Sequence, residues 1–244
     1  MHFKLLRDNF KEKSFTEFME AVYRSPVNFV LLVLGVIVAF SVEKEQQKRA
    51  DKKKEEAHIE RFMKDVKENI SALKESISLD SMLLEKGTYA QMALNKNMFP
   101  IDSLPVVLPI LTQSQKLAFK KDTYQEIISQ GHLHLITNDS IRLGIINYAI
   151  QYEGVLYQED FYRQMMFQSS FPYVTQTFAL DPVSMRENPP QMNIDAIEAL
   201  QFRNMITMFT AFVTARFHQY NIFLDINKNI LQQCEEEIEN NFSN

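Results

Sequence analysis

His132 and His134 stand on either side of Leu133, just after Gly131 and shortly before Asp139, and they form the best candidate for metal chemistry in the chain. In an extended segment residues i and i+2 point the same way, so both imidazoles could face one cation, with a third ligand still to be found elsewhere. The commoner reading of such a pair is a turn between helices whose polar groups sit in water. His58 and His218 occupy isolated helical positions, and His2 lies at the terminus. Glu235, Glu236, Glu237 and Glu239 are nearly consecutive, so on a helix they fan outward without converging, as a solvated helix end does. Cys234 is the only cysteine, which rules out an intrachain disulfide and a multi-cysteine metal site. The acids that follow it disfavour a thiolate. Glycines at 35, 87, 131, 144 and 154 are too dispersed for a phosphate-cradling loop, and neither a Gly-x-Ser-x-Gly nor a His-Glu-x-x-His pattern occurs. No residue set here points to catalysis, so the expectation is a non-enzymatic chain with no metal and no cofactor.

The scaffold for these residues reads as all-α. With 5 Gly and 8 Pro in 244 residues there are few interruptions, and 45% apolar content is enough for one core once a membrane segment is set aside. A net charge of −5 speaks against coating nucleic acid, which draws on clustered Lys and Arg.

Pro26 to Val42 is seventeen residues without a charge, with Asn28 and Ser41 as its polar interruptions. A spanning helix needs ~20 residues for ~30 Å of hydrocarbon. Extension back to Ala21 gives twenty-two, with Tyr23 at interfacial depth and Arg24 and Lys44 able to snorkel. The run starts too late and lacks the cleavage site of a signal peptide, and it has no polar face for a core helix. A transmembrane helix over 21–42 is therefore expected. Residues 1–20 form a juxtamembrane segment, and Phe10, Phe15, Phe18, Met19 and Val22 fall near one face of an interfacial helix. Gly35 and Ala39 make a small-xxx-small pair suited to transmembrane packing.

Residues 43–58 carry almost no apolar side chains and continue the helix as a charged stalk, either touching anionic lipid or solvated with i,i+4 ion pairs. From there the helical domain of residues 59–244 begins. Ile59, Phe62, Val66, Ile70, Leu73, Ile77 and Leu84 recur at heptad-like steps, a helix-assembly seam that pairs with a second copy or folds back on later helices. Gly87 and the Pro-bearing stretch Asn95 to Gln115 predict the end of that helix and an extended connection. Asp122 to Tyr152 reads as a helical hairpin, with Asp122 capping a helix that stops at Gly131 and Asn138 or Asp139 capping the next, which runs to about Gln168. Ile141, Ile145, Tyr148, Ala149 and Tyr152 give that second helix a buried face. After the Pro-containing stretch Leu180 to Asn193, a stripe of Phe202, Met205, Phe209, Phe212, Phe217, Tyr220, Leu224 and Leu231 predicts a long C-terminal helix. Its aromatics suit a bundle core or a greasy groove for a lipid tail.

The hairpin residues Thr123, Tyr124, Gly131, Leu133, Leu135, Ile136 and Asn138, followed by Arg142, Asn147 and Tyr148, resemble the hallmark of an uncharacterised family of single-pass membrane proteins of Bacteroidota. The span with Gly35-Val36-Ile37-Val38-Ala39 and the charged helix after it matches as well. Where that family carries an Asn-Trp-Asn-like element at the exit of the span, this chain has Ser41-Val42-Glu43-Lys44 and no Trp at all. The resemblance implies a bacterial inner-membrane location with a cytoplasmic N-terminus and a periplasmic domain. Basic residues counted within fifteen of the span favour a cytoplasmic domain instead, but the charges are interleaved and the family orientation is preferred here. The expected architecture is one transmembrane helix continuing into a long stalk helix, then an antiparallel helical bundle. The expected role is a scaffold or accessory subunit that contacts membrane lipid and assembles as a homo-oligomer or with another membrane protein. A lipid-binding module on the aromatic helices is the second reading and a metal-dependent hydrolase the third.

Overall fold

The computed structural model describes residue 17 and residues 26–100, 103–113, 119–178 and 200–242. Among these residues every regular element is helical, as the sequence predicts. The amphipathic segment over residues 10–22, residues 21–25 of the expected span and the Pro-containing stretch 180–193 lie outside the described residues, Glu17 excepted.

Helix α1 runs Pro26–Asn95, 70 residues. It stops at an αL residue, Asn97 (φ 51°), with Met98 N donating to Ala93 O at 2.9 Å. The predicted stop at Gly87 is corrected: α1 passes through it. A Cβ at Gly87 would meet Ile110 Cδ1 and Thr210 Oγ1 at 2.5 Å, so this glycine serves close approach of other elements and not a turn.

The extended connection expected over 95–115 is corrected too, since it folds into α2 (Leu104–Val107) and α3 (Pro109–Thr112). Pro105 and Pro109 fall in the first turns, the helical positions that proline tolerates. Then come α4 (Asp122–Ser129), a 3-10 turn (His132–Leu135) and α5 (Asp139–Met165). A π-helical turn (Met166–Ser170) leads into α6 (Phe171–Thr177), and α7 spans Leu200–Asn241. Asn138 caps α5 as expected, accepting from Ser140 N at 2.9 Å and Ile141 N at 3.4 Å. Asp122 does not cap α4. It is the first helical residue, and Asp65 Oδ2 on α1 accepts from Thr123 N at 3.2 Å in its place.

The chain divides into two compact units, Met1–Glu55 and Glu56–Asn244. In the first, the large apolar side chains from Val27 to Val42 are exposed on every side of the helix. Beyond them Arg49 pairs with Glu45 at 3.2 Å and Gln47 donates to Asp51 at 2.8 Å, the i,i+4 pattern of a solvated face. Among the described residues no helix is long and apolar enough to cross a membrane. The described apolar part, Pro26–Val42, covers about 25 Å at helical rise.

In the second unit the seam of Ile59, Phe62, Val66 and Leu73 is wholly buried, with Ile70 and Ile77 packed against it, among Tyr124, Tyr148, Tyr152, Phe223 and Ile230. The seam is thus filled by later helices of the same chain. A second cluster gathers Leu83, Leu104, Ile110, Tyr162, Phe202, Phe209 and Val213. The C-terminal aromatic stripe, Phe217 excepted, divides between these clusters and packs edge to face, as in Tyr162–Phe209 at 5.8 Å between ring centroids.

Between the clusters lies a polar layer. Arg216 on α7 donates through Nε to Asp80 Oδ2 at 2.9 Å and through Nη2 to Oδ1, both residues almost fully buried. Its guanidinium lies 4.4 Å above the Tyr162 ring, and Tyr220 Oη donates to Glu159 Oε1 at 2.7 Å. Burial opposes charge on both partners and pushes the Asp80 carboxyl up, while the hydrogen bonds and charge of Arg216 pull it back. For Arg216 the Asp80 bonds and charge outweigh burial and hold it protonated, and both Asp80 oxygens accept from it, as a carboxylate does.

Candidate functional site

One face of α1 carries His58, Arg61, Asp65 and Asn69 at steps of three, four and four, beside the apolar seam. Each bonds the α4 hairpin, and the partners run in reverse chain order. Asn69 holds the backbone of Lys120, accepting from its N and donating to its O, both at 2.8 Å. Asp65 takes Thr123 N, Arg61 takes Glu126, and His58 meets His132. An apolar seam flanked by a polar row therefore fixes which turn of α1 faces which residue of the hairpin.

The upper end of this row is the chemically richest spot in the unit. His58 Nε2 lies 3.1 Å from His132 Nδ1, with the two rings 5.0 Å apart. Arg61 Nη1 donates to Glu126 Oε2 at 2.8 Å, and Nη2 reaches Glu126 Oε1 at 3.2 Å and His58 Nδ1 at 2.9 Å. His58 is buried, while Glu126 and His132 are partly exposed. The Arg61 hydrogen bonds, with its charge adding to them, hold the Glu126 carboxyl below its ordinary value against the effect of burial.

The protonation pattern follows from donor counting. A guanidinium only donates, so His58 Nδ1 must accept. A neutral His58 then carries its proton on Nε2 and gives it to His132 Nδ1, which places the His132 proton on Nε2. The row is a directed chain, Arg61 to His58 to His132, with Glu126 neutralising its start.

The shared face that an extended segment would give His132 and His134 does not form, and the segment is the turn between helices that the sequence also offered. A 3-10 turn replaces the extended segment, so the two rings diverge, and His134 Nδ1 sits 2.7 Å from Gly131 O. His58, an isolated position in the sequence, is the true neighbour of His132, 74 residues away. The available signal was a polar row on α1 in register with its apolar seam.

The remaining hairpin residues do structural work. Tyr148 Oη accepts from Asn69 Nδ2 at 2.7 Å, and Tyr124 packs edge to face on Tyr148 at 5.5 Å. Leu133 lies against the same core, and Arg142 Nη1 donates to Ile136 O at 3.2 Å. Gly131 ends α4 in the left-handed region at φ 69°. Gly131→Ala is expected to lower stability by about 1–2 kcal/mol, the cost of a Cβ in that conformation, in thermal melts of the full chain in mild detergent.

The disfavoured thiolate at Cys234 agrees with its surroundings, whereas the reading of Glu237 changes. Cys234 is fully buried, and burial, with Glu235 and Glu237 adding to it, pushes its thiol up to about 12. Glu237 is not part of a solvated end: it is buried and accepts from Asn138 Nδ2 at 2.6 Å and Asn241 Nδ2 at 2.7 Å.

Helix α5 has two apolar faces. Ile141, Ile145, Tyr148, Tyr152 and Val155 enter the core as predicted, with Ala149 packed against them. On the other side Leu143 (65% exposed), Ile146, Ile150 (62%), Tyr157 (73%) and Phe161 stand in solvent. Leu143, Ile150 and Tyr157 repeat at steps of seven.

No family model, no curated protein and no solved structure matches the chain.

Proposed function

We propose that this chain is a membrane-attached helical module that works by assembly and not by catalysis, as a scaffold or accessory subunit of a bacterial envelope. The observation that carries the reading is the apolar sleeve of Val27 to Val42, whose large side chains are exposed all round the helix. A helix apolar on every face has no side to turn to water, and at ~25 cal/mol per Å² its exposure is costly unless something covers the whole circumference. Lipid does this. Residues 21–25 supply the length that Pro26–Val42 lacks for a span. The periplasmic placement of the helical domain rests on the family resemblance of the hairpin and the anchor.

The assembly half of the reading moves away from the heptad-like seam, which is occupied by the chain's own core. It is supported by the outer face of α5 and by Gly35, around which a Cβ would meet nothing within 4 Å. Gly35 and Ala39 leave room for the backbone of a second helix. The antiparallel arrangement of the bundle draws support from the contacts Asn138–Glu237, Gln151–Gln219 and Tyr162–Phe209, which run in opposite chain order. Native mass spectrometry of the untagged full chain, released from its own membrane in mild detergent, tests the reading. A homo-oligomer or a stoichiometric complex with another membrane protein is expected, and a lone monomer without copurifying partners contradicts it.

A further inference from the structure

We propose that His58, Glu126 and His132 form a binding site for a divalent transition cation of the zinc class, and that Arg61 is the group the cation displaces. One ligand atom each from His58, Glu126 and His132 lie within 4.8 Å of one another, and His58 Nε2 faces His132 Nδ1. Two nitrogens bound to one tetrahedral zinc at about 2.0–2.1 Å stand ~3.4 Å apart. The observed 3.1 Å is close to that spacing. Two imidazoles and one carboxylate form a borderline set, which selects zinc, cobalt or nickel over calcium and magnesium.

The three ligands come from α1, α4 and the 3-10 turn, so their positions are set by the core and not by one flexible loop. Ile59 and Ile127, next in sequence to His58 and Glu126, are both wholly buried. Three protein ligands leave a fourth coordination position, and the partial exposure of Glu126 and His132 opens it to water.

Arg61 currently supplies the positive charge, engaging both Glu126 oxygens and His58 Nδ1. Metal binding at His58 Nε2 requires a lone pair there, so the neutral ring moves its proton from Nε2 to Nδ1 with no net proton released. Nδ1–H then faces the Arg61 N–H, two donors without an acceptor, and the guanidinium has to leave. Its side chain is half exposed and can swing into solvent, which frees Glu126 for the cation. The exchange replaces one cation by another on the same carboxylate, so Arg61 competes with the metal and is not a ligand.

The competition gives a test that a purely structural ion pair would not pass. The untagged full chain in mild detergent is stripped of metal, titrated with Zn2+ alone, and its bound metal measured after gel filtration. One zinc per chain is expected in the wild type. His132→Gln, at a partly exposed turn where folding is retained, is expected to fall to background. Arg61→Gln is expected to bind more tightly, by an order of tenfold, the range over which groups adjoining metal ligands act. Circular dichroism of each variant confirms that the fold is kept. Absence of stoichiometric zinc in the wild type, binding unaffected by His132→Gln, or weaker binding in Arg61→Gln would each overturn the proposal.

Discussion

Arginine at Leu31 and Leu34 together is expected to move the full chain out of the membrane pellet after alkaline extraction, while alanine at the same two positions leaves it there. Both leucines are exposed and sit near the middle of residues 21–42. Each arginine at the centre of a spanning helix costs about 2.5–3.5 kcal/mol on insertion scales. Two amount to roughly 5–7 kcal/mol, about four to five orders of magnitude in partitioning at 1.4 kcal/mol per decade. If the anchor were a water-exposed helix of ordinary kind, the same arginines would improve solubility without changing the fraction. Retention of the arginine double variant in the extracted pellet would therefore count against a lipid-covered span.

Arg216→Ala is expected to be the most damaging single change in the helical domain. It leaves Asp80 buried without its cation, a loss of about 3–5 kcal/mol in comparable buried pairs. For a unit of this size that corresponds to a fall of roughly 10 °C in melting temperature. Asp80→Leu combined with Arg216→Met should recover most of the loss, because the desolvation cost of both ions vanishes with their attraction. A double variant as unstable as either single one would show that this layer does more than satisfy its own charges. The layer sits at one level on three long helices, with Asp80 between Leu73 and Leu83, Glu159 between Val155 and Tyr162, and Arg216 between Val213 and Tyr220. A helix sliding by one turn would put each of these groups against hydrocarbon, so the layer fixes the register of α1, α5 and α7.

Periodicity made much of this fold legible. The seam from Ile59 to Ile77 keeps steps of three and four, the stripe from Phe202 to Leu231 keeps them except at Phe217 and before Leu231, and apart from Phe217 both faces are buried or packed against the core. Local chemistry was legible as well: Gly131 takes the αL conformation and Asn138 caps α5 because these roles depend on the residue and its immediate neighbours. Residues serving a distant partner were misread. Gly87 looked like a stop because its reason, the approach of Ile110 and Thr210, lies outside its own helix. Pro105 and Pro109 looked like breakers because a proline that starts a short helix and one that ends a long helix read alike.

The contact of His58 with His132 was hidden for the same reason. His132 was weighed with His134, its neighbour in sequence, whereas the fold pairs it with His58 across 74 residues. Asp80 and Arg216 are 136 residues apart, and each alone is an ordinary charge on a long helix. Their placement at core positions of apolar stripes was the readable anomaly, since an unpaired charge there would be prohibitively costly. The outer face of α5 was equally readable, because Leu143, Ile150 and Tyr157 keep a heptad step that the buried face does not use.

That face offers the most direct test of the proposed assembly. A photo-crosslinking residue in place of Tyr157, in the full chain expressed in its native membrane, reports what lies against it. The same probe at Glu75, an exposed position on α1, serves as the control. A discrete adduct from position 157, with a second copy or one other membrane protein, is the expected result, and it should fade when Leu143 and Ile150 are changed to lysine. No adduct above the position 75 control would contradict assembly through this helix.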